Sequence, residues 1–356
     1  MIKDSKEIKI NKSPRSRITD VDWDNLPFGK VFSDHMLVMD YKDGQWEDAE
    51  IMPFEDLQMH PATSAIHYGQ SIFEGMKANK DEDGNVLIFR PDMNAKRFIE
   101  SCERMCMPEI PEEVFVDLIK KVVDLDRDWI PNKPGYSLYI RPFMFATDDF
   151  IGIKPSDTYK FIIFTCPVGA YYTAPVNVKI EEYYTRAAQG GVGRAKTAGN
   201  YAASLYPAKL AQEQGFHQLI WTDAAEHKYI EESGTMNVVF EIDGKMVTPS
   251  EDMDTILRGV TKRSVVEIAK HWGITVEERK VTVEEVVKAL REGRVTDAFG
   301  AGTAATIAQI AKIGFRDELF ELPSIESRTT SNKIKAYLTD LKSGKIEDEL
   351  NWLVKF

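Results

Sequence analysis

The chain has 356 residues, which is enough for about two domains. Apolar residues make up 43% and charged residues 29%, a balance that supports a packed core and excludes intrinsic disorder for most of the chain. The formal net charge of −12 argues against a nucleic acid or an anionic membrane as the partner, because both are bound by basic surfaces. A local cluster of arginines can still bind a small anionic substrate. The first twenty residues lack the apolar segment of a secretory signal, and the longest apolar run, 161–170, is about half a membrane span.

Three cysteines, Cys102, Cys106 and Cys166, indicate a reducing compartment, and we expect a cytoplasmic protein. Cys102 and Cys106 are four residues apart in a helical pattern, but no further pair of ligands lies near them in the sequence. We therefore expect both to be small buried apolar residues. The six histidines have no ligand spacing either, so no metal site is predicted.

The first half of the chain contains both strand and helix signals. Asp43-Gly44 predicts a hairpin turn after the first strand, and Pro91 predicts a helix start after the short strand before it. The apolar stripe of that helix is Phe98, Cys102, Met105 and Cys106. We expect strands over 28–41, 86–90, 136–147 and 159–169, and helices from Pro91 and over 112–129.

The periodicity breaks at 166–178, which contains two prolines and predicts a domain boundary. The second half resumes with helices over 200–214 and from Val260 and Val283, a strand over 217–223 and a hairpin over 236–248. Strands and helices mix without regular βαβ alternation, so the fold class is α+β. The predicted organisation is a flexible arm (1–20), a small α+β domain (21–165), an interdomain loop (166–178) and a large α+β domain (179–356).

The segment GGVGRAKT, residues 190–197, carries the strongest chemical signal. A phosphate-binding P-loop fits poorly, because Ala195 stands where the motif has glycine and no buried strand precedes the segment. A surface turn with a solvated lysine is a second interpretation. The third is a lysine that forms a Schiff base with a carbonyl cofactor, for which Lys196 needs a partly desolvated setting beside small residues.

The Schiff-base interpretation requires a carboxylate for a ring nitrogen and backbone donors for a phosphate, and both appear downstream. EESGTMN, residues 231–237, places two glutamates between strands. ILRGVTKRS, residues 256–264, runs through Gly259 into a helix start, where N–H groups bind phosphate. FGAGTAAT, residues 299–306, is a further turn of small residues. Each signal is weak alone, and their combination favours a cofactor site.

Together with FEGMKA (73–78) and RFIES (97–101), these segments resemble the branched-chain amino-acid aminotransferases. These are pyridoxal-phosphate enzymes of fold type IV, with a two-domain fold like that of D-amino-acid aminotransferase. The resemblance runs from about residue 28 to the C-terminus. It implies the cofactor pyridoxal 5′-phosphate and a homodimer.

The resemblance also implies roles at the cofactor. Lys196 is similar to the Schiff-base lysine that shuttles the substrate's α-proton, and Glu232 to the carboxylate facing the pyridine nitrogen. Tyr201 resembles the tyrosine at the phenolic oxygen, and Arg186 a supporting arginine. The remaining matches concern the phosphate: Arg97, the backbone donors of Val260 and Thr261, and the hydroxyl of Thr303.

For the substrate, the resemblance implies that Thr235 and the Ala304 N–H bind the carboxylate. Arg141 matches the arginine that accepts the γ-carboxylate of glutamate, and it shares a strand face with Tyr139. The other matches are the pocket walls Phe28, Tyr68 and Tyr139, and a loop with Ile151 and Ile153 that reaches the partner subunit's pocket. The implied activity is ping-pong transamination of L-leucine, L-isoleucine and L-valine with 2-oxoglutarate, in which the cofactor alternates between its pyridoxal and pyridoxamine forms.

Other enzymes of fold type IV, D-amino-acid aminotransferase and aminodeoxychorismate lyase, share the lysine and the glutamate and are the nearest alternatives. FEGMKA and the Tyr139–Arg141 strand favour the branched-chain group. The chain departs from the mammalian members at Ala305 and Ala308, where those carry a Cys-x-x-Cys, so we expect no thiol-based regulation there.

Overall fold

The computed structural model describes residues 8–169, 171 and 174–356. The first half contains β1 (Lys9–Ile10), β2 (His35–Lys42), β3 (Gln45–Trp46), β4 (Glu50–Pro53), α1 (Ser64–Tyr68), β5 (Ser71–Phe73), β6 (Met76–Lys80), β7 (Val86–Phe89), α2 (Pro91–Arg104), α3 (Glu112–Leu125), β8 (Ser137–Ala146) and β9 (Tyr159–Val168). The second half contains β10 (Val176–Ile180), α4 (Ala198–Glu213), β11 (Gln218–Thr222), β12 (Ile230–Ser233), β13 (Met236–Ile242), β14 (Lys245–Pro249), α5 (Val260–His271), β15 (Val276–Arg279), α6 (Val283–Arg291), β16 (Val295–Gly302), β17 (Thr306–Phe315), β18 (Glu318–Glu321), α7 (Thr330–Lys342) and β19 (Leu353–Lys355). Within these residues, no helix combines the length and the apolar character that crossing a membrane requires.

The chain divides into two compact units, and neither is continuous in sequence. The first comprises Met1–Tyr171, Ala195–Ala198 and Asp340–Phe356, and the second Tyr172–Arg194 and Gly199–Thr339. The change at 171/172 falls inside the loop that the sequence indicated. The two later returns to the first unit were not predicted, because they depend on long-range pairing: β19 joins β7, and Thr197 forms a β-bridge with Ile72.

The first unit is built on a sheet in the order β1-β4-β2-β9-β8-β6-β7-β19, with α2 and α3 in the core packed against it. Helix α2 begins with Pro91 at its first turn, as predicted, and buries Phe98 against Phe115 and Phe161. The prediction for Cys102 is confirmed, since it is buried. The prediction for Cys106 is wrong: the helix ends at Arg104, and Cys106 follows with a left-handed φ of 54° and is exposed.

Residues 8–20 are anchored to the first unit, which corrects the expectation of a flexible arm for this part of 1–20. Strand β1 pairs in parallel with β4. The Ser16 hydroxyl donates to Asp34 Oδ2 at 2.5 Å, and the Arg17 N–H donates to Asp34 Oδ1 at 2.8 Å. Polar contacts of this kind have no apolar periodicity, so the sequence pattern could not show them. The first strand of the hairpin is also shorter than predicted, since β2 begins only at His35.

The second unit contains a closed ring of strands. The sheet runs β12-β11-β10-β17-β16-β13-β14-β15, and an additional pairing of β12 with β13 closes its first six strands into a ring. Strands β12 and β13 are joined by the two-residue turn Gly234-Thr235, in which Gly234 has a φ of 58°. A left-handed residue in a tight hairpin suits glycine. The turn leaves Glu232 and Thr235 at one end of the ring.

Candidate active site

A cavity in the second unit contains a buried carboxylate. Glu232 is only 3% exposed. Its Oε1 accepts a hydrogen bond from the Leu257 N–H at 2.6 Å, and its Oε2 lies 3.4 Å from Arg186 Nε. The guanidinium balances the charge of a carboxylate that water barely reaches. The cavity is lined by Arg186, Asn200, Tyr201, Ser204, Glu232, Gly234, Thr235 and Leu257.

A β-bulge explains why two adjacent glutamates are buried in β12. Ile220 pairs with Ser233 and Thr222 with Ile230, so the single residue Trp221 lies opposite both Glu231 and Glu232. Bulges of this kind often re-aim a side chain next to a functional site. Of the two carboxylates, Glu232 lines the cavity.

The segment before α5 is fixed next to Glu232 by two hydrogen bonds. Besides the Leu257 N–H on Glu232, the Asn237 side-chain amide donates to the Leu257 carbonyl at 3.0 Å. A Cβ on Gly259 would collide with Asn237 Oδ1, so any other residue would displace the Asn237 side chain. Gly259 precedes α5, whose first residues are the predicted phosphate contacts Val260 and Thr261, both buried. The positive end of the helix dipole therefore begins a few residues from the carboxylate.

The turn that carries Thr303 and Ala304 follows β16 and is half-buried. Strand β16 pairs with β13, Ala301 being opposite Asn237. A Cβ at Gly302 would lie 2.9 Å from the Met236 side chain, so a small residue is needed for this close packing. The pairing thereby places the Thr303 turn beside the strand that starts from Thr235.

The Arg186 side chain is held in place by main-chain carbonyls of other residues. Its Nη2 donates to the Gly193 carbonyl at 3.3 Å and to the Thr255 carbonyl. A Cβ on Gly193 would lie 2.5 Å from Ala187 Cβ, which explains one glycine of the glycine-rich segment. These contacts orient the guanidinium towards Glu232.

Lys196 belongs to the first unit and is half-buried. Its N–H donates to Ser101 Oγ at 3.0 Å, and its carbonyl accepts from the Phe73 N–H at 3.0 Å. Its Nζ lies 4.8 Å from the centroid of the Phe73 ring, within cation–π range. The main chain around the lysine is thus anchored on both sides, while its amine lies over an aromatic face.

Glu74 is a functional candidate that the sequence interpretation missed, although it lies in the quoted motif FEGMKA. The carboxylate is fully buried and accepts from Arg97 Nε at 2.7 Å, Arg97 Nη2 at 2.9 Å and Asn94 Nδ2 at 2.7 Å. Burial alone would raise the pKa of Glu74, but Arg97 above all, together with Lys196 and Asn94, holds that pKa below its usual range. Arg97, predicted to bind a phosphate, therefore directs two donors to a carboxylate.

Phe28, Tyr139 and Arg141 come together in the first unit. The Phe28 and Tyr139 rings meet edge to face with centroids 5.1 Å apart, and Arg141 Nη2 donates to the Tyr139 hydroxyl at 2.9 Å. This confirms the predicted shared face of Tyr139 and Arg141. The Arg141 Nε is buried with no hydrogen-bond partner within the described residues. A donor in that state favours an anionic ligand.

Tyr68, Ile151 and Ile153 are exposed on the first unit, by 42%, 67% and 93%. Their two segments are joined, because Thr63 forms a β-bridge with Asp149 and the Ser64 N–H donates to the Asp148 carbonyl. Exposed apolar side chains on two connected segments are typical of a surface that a partner covers. Tyr68 thus lies on a segment joined to the loop that carries the isoleucines, whereas the resemblance grouped it with Phe28 and Tyr139.

The comparisons with known proteins agree on one family. The family model described as amino-transferase class IV matches residues 71–313. The chain is 44% identical over 350 residues to branched-chain-amino-acid aminotransferase 2 of Bacillus subtilis, covering 97% of this chain and 95% of that protein. It is likewise 44% identical to branched-chain-amino-acid transaminase 1 of the same organism, covering 93% of this chain and 94% of that protein.

Solved structures show the same fold. The branched-chain amino acid aminotransferase of Escherichia coli superposes with a TM-score of 0.74 at 24% identity, covering 90% of this chain and 98% of that one. The enzyme of that name from Thermoproteus uzoniensis, solved with norvaline, gives 0.73 at 25% identity, covering 90% and 99%. A third, from Thermobaculum terrenum in its PLP form, gives 0.70 at 19% identity, covering 90% and 98%.

Proposed function

The chain belongs to the class IV amino-transferase family, as one of its branched-chain aminotransferases, and we propose that it transfers the amino group of L-leucine, L-isoleucine and L-valine to 2-oxoglutarate. The products are the branched 2-oxo acids and L-glutamate, formed in two half-reactions of a ping-pong mechanism. The observation that carries the proposal is the buried Glu232, set in a cavity with Arg186, Tyr201 and Thr235.

We propose pyridoxal 5′-phosphate as the cofactor, and the residues present fit it. A carboxylate buried beside an arginine suits a cationic ring nitrogen, and the glycine-preceded start of α5 suits a phosphate. When bound, the cofactor supplies an electron sink for the pair left by the α-proton. The residues proposed to hold it are Lys196, Glu232, Tyr201, Arg186, Arg97, Val260, Thr261 and Thr303.

Lys196 Nζ is proposed to take the proton from the substrate's α-carbon and to return it during the same half-reaction. Hydrogen bonds of its main chain fix the position from which the side chain extends. The Phe73 ring attracts the amine when the amine is charged. The nearby Glu74 carboxylate adds a fixed negative charge, which the Arg97 guanidinium largely neutralises.

Glu232 is proposed to hold a proton on the ring nitrogen, since it lines the cavity and Arg186 keeps its carboxylate in place. Tyr201 from α4 lines the same cavity and is proposed to donate to the ring's phenolic oxygen. A low-dielectric site strengthens both interactions relative to water.

For the substrate, Thr235 and the Ala304 N–H are the proposed carboxylate donors. Phe28 and Tyr139 are the proposed apolar walls for the side chain, and Arg141 is proposed to bind the γ-carboxylate of glutamate. The Nε of Arg141 is buried and has no hydrogen-bond partner among the described residues, which supports that role. Its Nη2 remains tied to the Tyr139 hydroxyl, which fixes the guanidinium beside the apolar wall.

We further propose a homodimer that works in the cytoplasm. Tyr68, Ile151 and Ile153 form an exposed apolar surface on two joined segments, which a second copy would cover. The proposal adds Tyr68 to the isoleucines as a residue that reaches the partner subunit's pocket. Sedimentation equilibrium of the purified protein measures the assembly directly.

A substrate panel tests the activity. With 2-oxoglutarate as acceptor, the three branched-chain L-amino acids should give glutamate, while D-alanine and other D-amino acids should not. A D-selective enzyme, or a lyase that forms no glutamate, would contradict the proposal. One methylene in an apolar pocket changes binding by only about 1–3 kcal/mol, so we expect all three branched substrates to react.

Arg141→Met should separate the two substrate classes. We expect the KM for glutamate and 2-oxoglutarate to rise by roughly tenfold or more, because a hydrogen bond to a charged group contributes about 1.5–3 kcal/mol. The KM for leucine should change much less, since methionine preserves an apolar surface. Steady-state kinetics of both half-reactions measure the difference. Equal losses for both classes would mean that Arg141 only supports Tyr139.

A further inference from the structure

Glu231 is a buried acid with no assigned role. The side chain is fully buried, and neither carboxylate oxygen has a hydrogen-bond partner within the described residues. The hydroxyl of Thr255 is also buried without a partner there. An ionised carboxylate in such a position is costly, whereas a protonated one is tolerated.

The charged groups around Glu231 act in opposite directions. Burial raises its pKa to about 7, and the charges of Glu232 on its own strand and of Asp223 after β11 act in the same direction. The Arg186 guanidinium acts against this rise of the pKa. At neutral pH the carboxyl is therefore poised between its two states, within electrostatic reach of a guanidinium that Glu232 already neutralises.

The balance of charge shifts when a cation enters the cavity. Arg186 and Glu232 together carry no net charge, so a protonated Glu231 leaves this buried group neutral. A cationic ring nitrogen at Glu232 adds one positive charge, and an ionised Glu231 would restore neutrality beside Arg186. An uncompensated buried charge is strongly unfavourable, so the two events are coupled.

We propose that Glu231 is the reserve counter-ion of Arg186, protonated in the free protein and releasing its proton to solvent when a cationic ring nitrogen binds at Glu232. Glu231 is thus a positioning residue, which acts on the ring through Arg186 and Glu232. The β-bulge makes this possible, because it sets both glutamates opposite Trp221 in one short strand. The inference rests on the proposed function.

Calorimetry of the cofactor-free protein with pyridoxamine 5′-phosphate tests the coupling, since this ligand forms no covalent bond with Lys196. Titrations in two amine-free, phosphate-free buffers of different ionisation heat give the protons exchanged on binding. At about pH 6, where Glu231 is protonated in the free protein, wild type should release close to one more proton per site than Glu231→Gln. At about pH 8 the difference should nearly vanish, because Glu231 is then already ionised.

Equal proton counts for both proteins at the lower pH would overturn the inference and leave the proposed function intact. Failure of wild type to bind the ligand would overturn the proposed function as well. A purely structural Glu231 would change affinity at every pH without changing the proton count. If Glu231→Gln does not fold, infrared spectra of wild type with ¹³C-labelled glutamate decide: a protonated carboxyl band must disappear on binding, and a band that persists or is absent beforehand overturns the inference.

Discussion

Lys196→Ala is expected to lower turnover by roughly 10⁴-fold or more, because the variant lacks the amine that moves the α-proton. The fold should survive, since the contacts that anchor residue 196 come from its main chain: the N–H on Ser101 Oγ and the carbonyl on the Phe73 N–H. The absorbance of the covalent link between lysine and cofactor should disappear together with turnover. Absorbance spectra and circular dichroism of the purified variant measure the two effects.

Lys209→Ala is the matched control for this loss. Lys209 lies on α4 with a side chain that is 73% exposed, and its ion pair with Glu213 spans 4.0 Å. Exposed pairs of this kind contribute little, so turnover and absorbance should be unchanged. Borohydride reduction of wild type should then fix the cofactor on the peptide containing Lys196. Labelling of any other lysine would contradict the assignment.

The helices and strands were predictable wherever apolar periodicity and turn residues coincide. Pro91 starts α2, Asp243-Gly244 turns the hairpin of β13 and β14, and Val260 and Val283 start α5 and α6 as expected. These signals are local, since each follows from which face a residue buries or which φ it adopts. The α+β class followed from the same signals.

Features that depend on long-range pairing could not be predicted. The sequence places Lys196 among second-unit residues, but the bridge of Thr197 to Ile72 returns it to the first unit. The ring of strands needs distant pairings, such as that of β10 with β17, before the short hairpin of β12 and β13 can close it. Distant pairings leave no periodic trace in the sequence.

The candidate site divides in the same way. The resemblance named Glu232, Arg186, Tyr201 and Thr235, which the structure brings to one cavity. It gave no role to Glu74, because a buried counter-ion is recognised only once its partner Arg97 is seen beside it. The strand pattern alone does not show which of the two adjacent glutamates faces the cavity, because the bulge in β12 breaks the simple alternation of side chains along a strand.

Glu232→Gln is expected to retain the cofactor while lowering turnover by about 10²-fold or more, because removing a fixed electrostatic partner of the reacting group has costs of this size. The amide oxygen can still accept the Leu257 N–H, so the segment leading to α5 should stay in place. The amide cannot supply the charge that holds a proton on the ring nitrogen. Cofactor content, measured by absorbance after denaturation, and turnover of leucine with 2-oxoglutarate separate the two effects.

Glu241→Gln provides the control, since it removes a carboxylate from the neighbouring strand β13 that accepts a hydrogen bond from Thr296 at the surface. Turnover should be retained there, because Glu241 lies outside the cavity lining. If Glu232→Gln kept near-normal turnover while Glu231→Gln lost it, the role of holding the proton on the ring nitrogen would belong to Glu231. That outcome would require the cofactor to bind beside Glu231. In the structure, Leu257 and Arg186 contact the carboxylate of Glu232, and Glu232 lines the cavity.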